Sequence, residues 1–198
     1  MAAELAALQA DVVVLQEAPR LVLWRLARRR LARRAGLRLV TTGRAGGNAL
    51  LAAPEVEVRS SYAVLLPKRP GLHRRASVGA VVTLDGRELV VAGSHLDLDG
   101  SARLDSARRV RAAVPPGRPL VLGADVNEPP DGPAWAVLAG GLVDPGGEPT
   151  FPAGRPTRRI DLLAVSPELT VALRVLPTAA SDHRMLVADV AWAPTLGG

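Results

Sequence analysis

Short apolar runs separated by Gly, Pro and Asp turns dominate this chain, with three helical stretches between them. Leu5 and Leu8 share one helical face in an Ala/Leu-rich start over 1–10. Asp11 breaks that pattern. Val12, Val13, Val14 and Leu15 follow, apolar on both faces and so predicted as a buried strand. Residues 21–35 predict an Arg-rich helix with Leu23, Leu26, Ala27 and Leu31 as its buried stripe and the arginines elsewhere; Gly36 closes it. Strands are predicted over 37–42 and 48–53, joined by a flexible turn at 43–47, and then over 56–66, closed by 67–71. The runs 74–84 and 88–94 flank Asp85-Gly86-Arg87, whose Asp-Gly pair signals a hairpin.

The second half alternates. Leu104, Ala107, Val110 and Val114 are spaced as a helix that stops at Pro115-Pro116. Leu120 to Leu122 form a strand. A short helix is predicted at 133–138, then a Gly/Pro-rich loop over 140–156. Strands at 158–165, 169–176 and 185–192 complete the chain. Hairpins mixed with crossover helices exclude a simple alternating βαβ chain. With 198 residues, no repeat and no splitting linker, one domain spanning 1–198 is expected.

Composition narrows the classes. There is no Cys, which excludes disulfides and thiolate metal sites. Aromatics are 3%, which weakens any reading based on base stacking. The formal charge is +6, and of 25 basic residues only Lys68 is not Arg. That balance favours anionic partners such as nucleic acid or phosphorylated lipid, although a coding bias toward Arg would produce it too. No stretch reads as a signal peptide or transmembrane helix. A cytoplasmic monomer is the default expectation.

Polar groups gather at the ends of apolar strands: Gln16-Glu17, Ser94-His95, Asp125 with Asn127, Asp161, and Asp182-His183. Each has a plain structural reading. Glu17 can be an exposed loop acid, and Asp125 with Asn127 an Asx turn closing a strand. In an extended segment, Asp125 and Asn127 would point the same way. Asp161 lies between Ile160 and Leu162, where a carboxylate needs a partner. Together the clusters supply what phosphate-ester hydrolysis needs. Carboxylates hold a hard cation such as Mg²⁺, an Asp and an Asn position water, and a His held by an Asp moves a proton.

The ordered series LQE (15–17), SHLD (94–97), GADVNEPP (123–130), RID (159–161) and SDH (181–183) resembles the endonuclease/exonuclease/phosphatase family, with its deoxyribonuclease I-like fold. The likeness runs from about Asp11 to Val190. It implies an α/β four-layer sandwich, with two packed mixed sheets flanked by helices. It also implies a hydrolase using Mg²⁺, with Mn²⁺ as the alternative, on a phosphate ester such as nucleic acid. By matching position, Glu17 and Asp182 would hold the metal. His95, Asp125, Asn127, Asp161 and His183 would be catalytic, and Arg103 would meet phosphate, its plain alternative being an exposed helix Arg. His73 matches no motif. Two other readings remain: a phospholipid or phosphoinositide phosphoesterase, and an impaired member acting as a basic binding protein. Family members usually begin with a strand ending in Asn ahead of the LQE strand. Here only ten residues precede Asp11, without an Asn or a strand. The resemblance therefore implies a first sheet lacking a strand and a metal site lacking one neighbour.

Overall fold

The structure is a computed structural model that describes residues 1–20, 22–41, 46–68, 70–71 and 74–194. Most of the turn expected at 43–47 and His73 lie outside the described residues. Helix α1 (Ala2–Leu8) leads into strand β1 (Val12–Leu15), and helix α2 (Trp24–Arg34) follows. Next come β2 (Arg38–Leu39), β3 (Ala49–Ala52), β4 (Val58–Leu65), β5 (Ala76–Leu84) and β6 (Arg87–His95). Helix α3 (Gly100–Ala113), β7 (Leu120–Asp125), α4 (Pro133–Ala139), β8 (Asp161–Val165), β9 (Leu169–Leu176) and β10 (Met185–Trp192) complete the order.

The largest sheet has the order β4-β5-β6-β7-β8. Its β5–β6 hairpin closes through Asp85 (φ 50) and Gly86 (φ 75), two left-handed residues that match the twist of the strands. The β6–β7 pair is parallel, with α3 as the crossover, and β7–β8 is antiparallel. One face of this sheet packs on α3 and α4. Leu122, Val110, Leu138 and Leu162 are fully buried there, each stabilising the fold by about 1.5–3 kcal/mol. The other face carries β1-β3-β2 and β10-β9 side by side. α1 and α2 pack outside β1 and β3 through Leu5, Ala32, Leu51 and Ala53. The architecture is therefore a mixed α/β sandwich of four layers. Gly93 makes the close approach of β1 to β6 feasible, because a Cβ there would sit 2.2 Å from Val14 Cγ1.

The second layer is split. β1 pairs only with β3, and β10 only with β9, among the described residues. Beneath them, Val121 and Gly123 on central strand β7 stay half-buried, and so do all four residues of β1.

The structure revises the expected face of α2. Leu23 and Leu26 are exposed, at 69% and 58%, while Arg28 is fully buried. The guanidinium of Arg28 donates from Nε to Pro19 O (2.8 Å) and from Nη1 to Asn48 O (2.8 Å), and lies 4.9 Å from the Trp24 ring. The buried guanidinium thus satisfies two loop carbonyls, and it ties the residues after Glu17 to β3. The strand expected over 37–42 shortens to Arg38–Leu39, and that over 158–165 starts at Asp161.

Candidate active site

Register brings the chemistry together. His95 is the last residue of β6 and pairs with Asp125, the last of β7. Asp125 pairs in turn with Asp161, the first of β8. Three strands that neighbour one another in the sheet thus present an imidazole and two carboxylates in a row. The loop between β9 and β10 adds His183, whose Nδ1 lies 2.8 Å from Asp161 Oδ2.

Asp161 has the partners its place beside Leu162 requires. Besides His183, its Oδ2 accepts the hydroxyl of fully buried Thr150. An acceptor at Nδ1 fixes the His183 tautomer and leaves Nε2 turned toward Asp125, 4.0 Å from Oδ2. The same Oδ2 lies 3.0 Å from His95 Nε2. Asp125 therefore sits between two imidazoles. Its Oδ1 accepts the backbone N–H of Asn127 at 3.1 Å, which is an Asx turn. The turn and the polar cluster are one structure.

Asn127 does not continue the strand as an extended reading requires. Its φ is 58, so the simple alternation of side chains is lost. Its Nδ2 donates to Leu96 O at 3.0 Å, holding the carboxamide beside the end of β6.

Burial and charge set the protonation states. Asp125 is pushed up to about 7 by burial and by the neighbouring Asp161 carboxylate. His95 is pushed down to about 3 by burial and by the charges of Arg75, His183 and Arg20. Its contact with Asp125 is therefore a hydrogen bond of a neutral ring. The His183 value is raised, chiefly by its hydrogen bond to Asp161 and then by the surrounding carboxylates, against the opposing effect of burial.

Ligand atoms of Asp125, Asp161 and His183 lie within 4.8 Å of one another, a spacing suited to a metal ion. Glu17 and Asp182, the carboxylates expected from sequence to hold the cation, are outside this group. Both are exposed; Glu17 directly follows β1 with φ 53, and Asp182 directly precedes His183. Buried Asp125 and half-buried Asp161 offer the oxygen donors that a hard divalent cation takes.

Arg103, expected to meet phosphate, is held by contacts within the fold. Its Nε donates to Glu128 Oε2 at 2.8 Å, and its Nη1 to the carbonyls of Asp97, Leu98 and Asn127 at 3.0–3.2 Å. It braces the loops after β6 and β7 against α3. Glu128 completes the brace by accepting Trp135 N–H through Oε1.

Sequence reasoning missed Thr150 and Phe151. The Phe151 ring lies 4.8 Å from the His183 ring at 50°, with the Arg158 guanidinium 5.0 Å above it. Phe151 is the one Phe in the chain. A lone aromatic beside Thr in a Gly/Pro loop was the available signal. Arg75, paired with Asp97 at 3.3 Å, was missed as well.

Fold and site together define a class of protein: a four-layer α/β sandwich with an acid–imidazole cluster where the ends of neighbouring strands meet. The chain belongs to the Endonuclease/Exonuclease/phosphatase family, whose model matches residues 1–183. Its fold is similar to that of a Bacteroides thetaiotaomicron mannosyl-6-phosphatase, with a TM-score of 0.75 and 17% identity, covering 96% of this chain and 89% of that one. A second B. thetaiotaomicron protein of the family gives a TM-score of 0.79 at 18% identity, covering 98% and 88%. TDP2 from D. rerio, complexed with a single-strand DNA product, gives 0.69 at 19%, covering 96% and 89%. At these identities the likeness is one of fold. No curated protein matches the sequence.

Members of this family are phosphoesterases, typically dependent on a divalent metal. No helix among the described residues is long and apolar enough to cross a membrane.

Proposed function

We propose that the chain is a metal-dependent phosphodiesterase that attacks a phosphate ester with water. The observation carrying this reading is the row His95–Asp125–Asp161 on adjacent strands, closed by His183. Asp125 is assigned the water. A carboxylate poised near neutral pH accepts a proton while staying partly ionised, the condition for general-base work. Asn127 holds the turn that aims Asp125 and offers its carboxamide to the substrate. His183, whose affinity for a proton Asp161 raises, is assigned to oppose the negative charge that grows on the phosphoryl oxygens. His95, held neutral, is assigned to the phosphate or the leaving oxygen. Glu17 and Asp182 are assigned to Mg²⁺ or Mn²⁺. Such an ion, when bound, polarises the phosphoryl oxygen and stabilises the leaving oxygen.

The solved relatives named above include a sugar phosphatase and a DNA-product complex. The test therefore spans substrates: plasmid DNA, an aryl phosphodiester, a sugar monophosphate and a phosphoinositide, each with Mg²⁺ and with Mn²⁺. Diester cleavage that requires the metal and is lost in His183→Ala supports the reading. Hydrolysis of the monoester alone would replace the diesterase with a phosphatase. No turnover of any of the four would remove the enzymatic reading.

A further inference from the structure

Bulky apolar side chains crowd one end of the sandwich. Val22 is 90% exposed, Leu98 75%, Leu23 69% and Leu26 58%, with Leu65 and Val64 also exposed. Single exposed leucines need no explanation, but these come from three separate segments that converge. Val22, Leu23 and Leu26 follow the Glu17 loop, which Arg28 ties to Asn48 through Pro19 O and Asn48 O. Asn48 Nδ2 and Ser94 Oγ both donate to Ala76 O. Ala76 is the register partner of Leu65. Arg75, next to it, reaches Asp97, the neighbour of Leu98. The three segments therefore surround the end of the sheet that carries His95.

Cations are interleaved with these side chains. Arg20, Arg25, Arg29, Lys68 and Arg74 are exposed in the same segments or beside them. The acids among them are largely engaged: Asp97 with Arg75, and Asp99 as the cap of α3, leaving Glu17. A ring of protruding aliphatic groups among arginines matches the interfacial zone of a bilayer, where apolar side chains enter the headgroup–acyl boundary and cations meet lipid phosphates. Nucleic acid calls for the cations but has no use for the aliphatic groups, which offer bases nothing to stack on.

We propose that this rim docks on an anionic phospholipid surface, with Val22, Leu23 and Leu98 inserted and Arg20, Arg25 and Arg74 on the lipid phosphates. A bilayer held there faces the His95–Asp125 end of the sheet with headgroup phosphate esters. That consequence rests on the hydrolase reading; the docking does not.

The test is vesicle co-sedimentation of the full chain in chelator, so that no turnover intervenes. Phosphatidylcholine vesicles with and without phosphatidylglycerol are compared. Binding should require phosphatidylglycerol and weaken with salt. It should fall at least about tenfold in Val22→Ser/Leu23→Ser/Leu98→Ser, as expected when several buried methylenes are lost together. Val143→Ser, which removes an exposed apolar group near the far end of β8, should bind as the parent does, and melting curves should show both variants folded. Equal binding by the parent and the triple variant would overturn the proposal. So would loss of self-association in the triple variant without any vesicle binding by the parent, because a second copy would then be the occupant. Tight binding of plasmid DNA with no vesicle binding by the parent would overturn it as well, since the cations would then serve nucleic acid rather than lipid phosphates.

Discussion

His183 Nδ1 and Asp161 Oδ2 are hydrogen-bonded at 2.8 Å, joining the β9–β10 loop to the first residue of β8. The bond raises the imidazole's affinity for a proton and fixes which nitrogen faces Asp125. Asp161→Asn should therefore lower the His183 pKa and slow hydrolysis by roughly 10²–10⁴-fold, the usual span for lost acid–base assistance. NMR titration of the ring, read beside kcat, checks both. An unmoved imidazole with full activity would show that the bond is structural only.

Asp125→Asn keeps the shape of the side chain and removes its charge. Hydrolysis should fall by about 10²–10⁴-fold in the folded protein. A variant that turns over substrate at the parent's rate would take the water-activating role away from Asp125.

Asp125 and His95 make opposing contributions to stability against pH. Asp125 has its folded value raised to about 7 from 3.8, so the folded state holds the extra proton and stability falls as pH rises through that window. His95 has its folded value lowered to about 3 from 6.5, so the unfolded state takes up the proton first and stability falls as pH drops from 6.5 toward 3. In chelator, Asp125→Asn should steepen the rise of Tm with pH across the acid range. His95→Gln should leave the opposite slope. Parallel Tm curves for parent and variants would refute both assignments.

Thr150 shares Asp161 Oδ2 with His183 and so positions the carboxylate without meeting substrate. Thr150→Val should reduce kcat by about 10–100-fold with little change in KM, the range seen when a supporting hydrogen bond is removed from a site. Thr150→Ser should restore most of it. If the valine and serine variants behave alike, the hydroxyl is not what matters.

Glu17 and Asp182 are the assigned cation ligands, and both are exposed. Calorimetric titration with Mg²⁺ should show clearly weaker binding in Glu17→Ala than in the parent. Unchanged affinity would shift the ion toward the compact Asp125–Asp161–His183 group.

Much of this molecule could be read from local chemistry. The β-branched and apolar runs specify β1, β5, β9 and β10, because side-chain alternation and propensity act within the strand itself. The positive φ of Asp85 and Gly86 suits an Asp-Gly pair in any context. The polar residues at strand ends were visible because a strand that stops at Asp125 or His95 announces itself by loss of apolar pattern. Tertiary structure alone decided which of them meet. His95, Asp125 and Asp161 become neighbours through a parallel and an antiparallel register spanning up to 66 positions, and nothing local encodes strand order. It also decided the face of α2. An amphipathic pattern predicted buried leucines, but Arg28 turns inward onto two loop carbonyls while Leu23 and Leu26 stay outside. Arg103 became a brace, and Thr150 a site residue, for the same reason: hydrogen-bond partners are assigned by proximity in space, which periodicity along the chain does not contain.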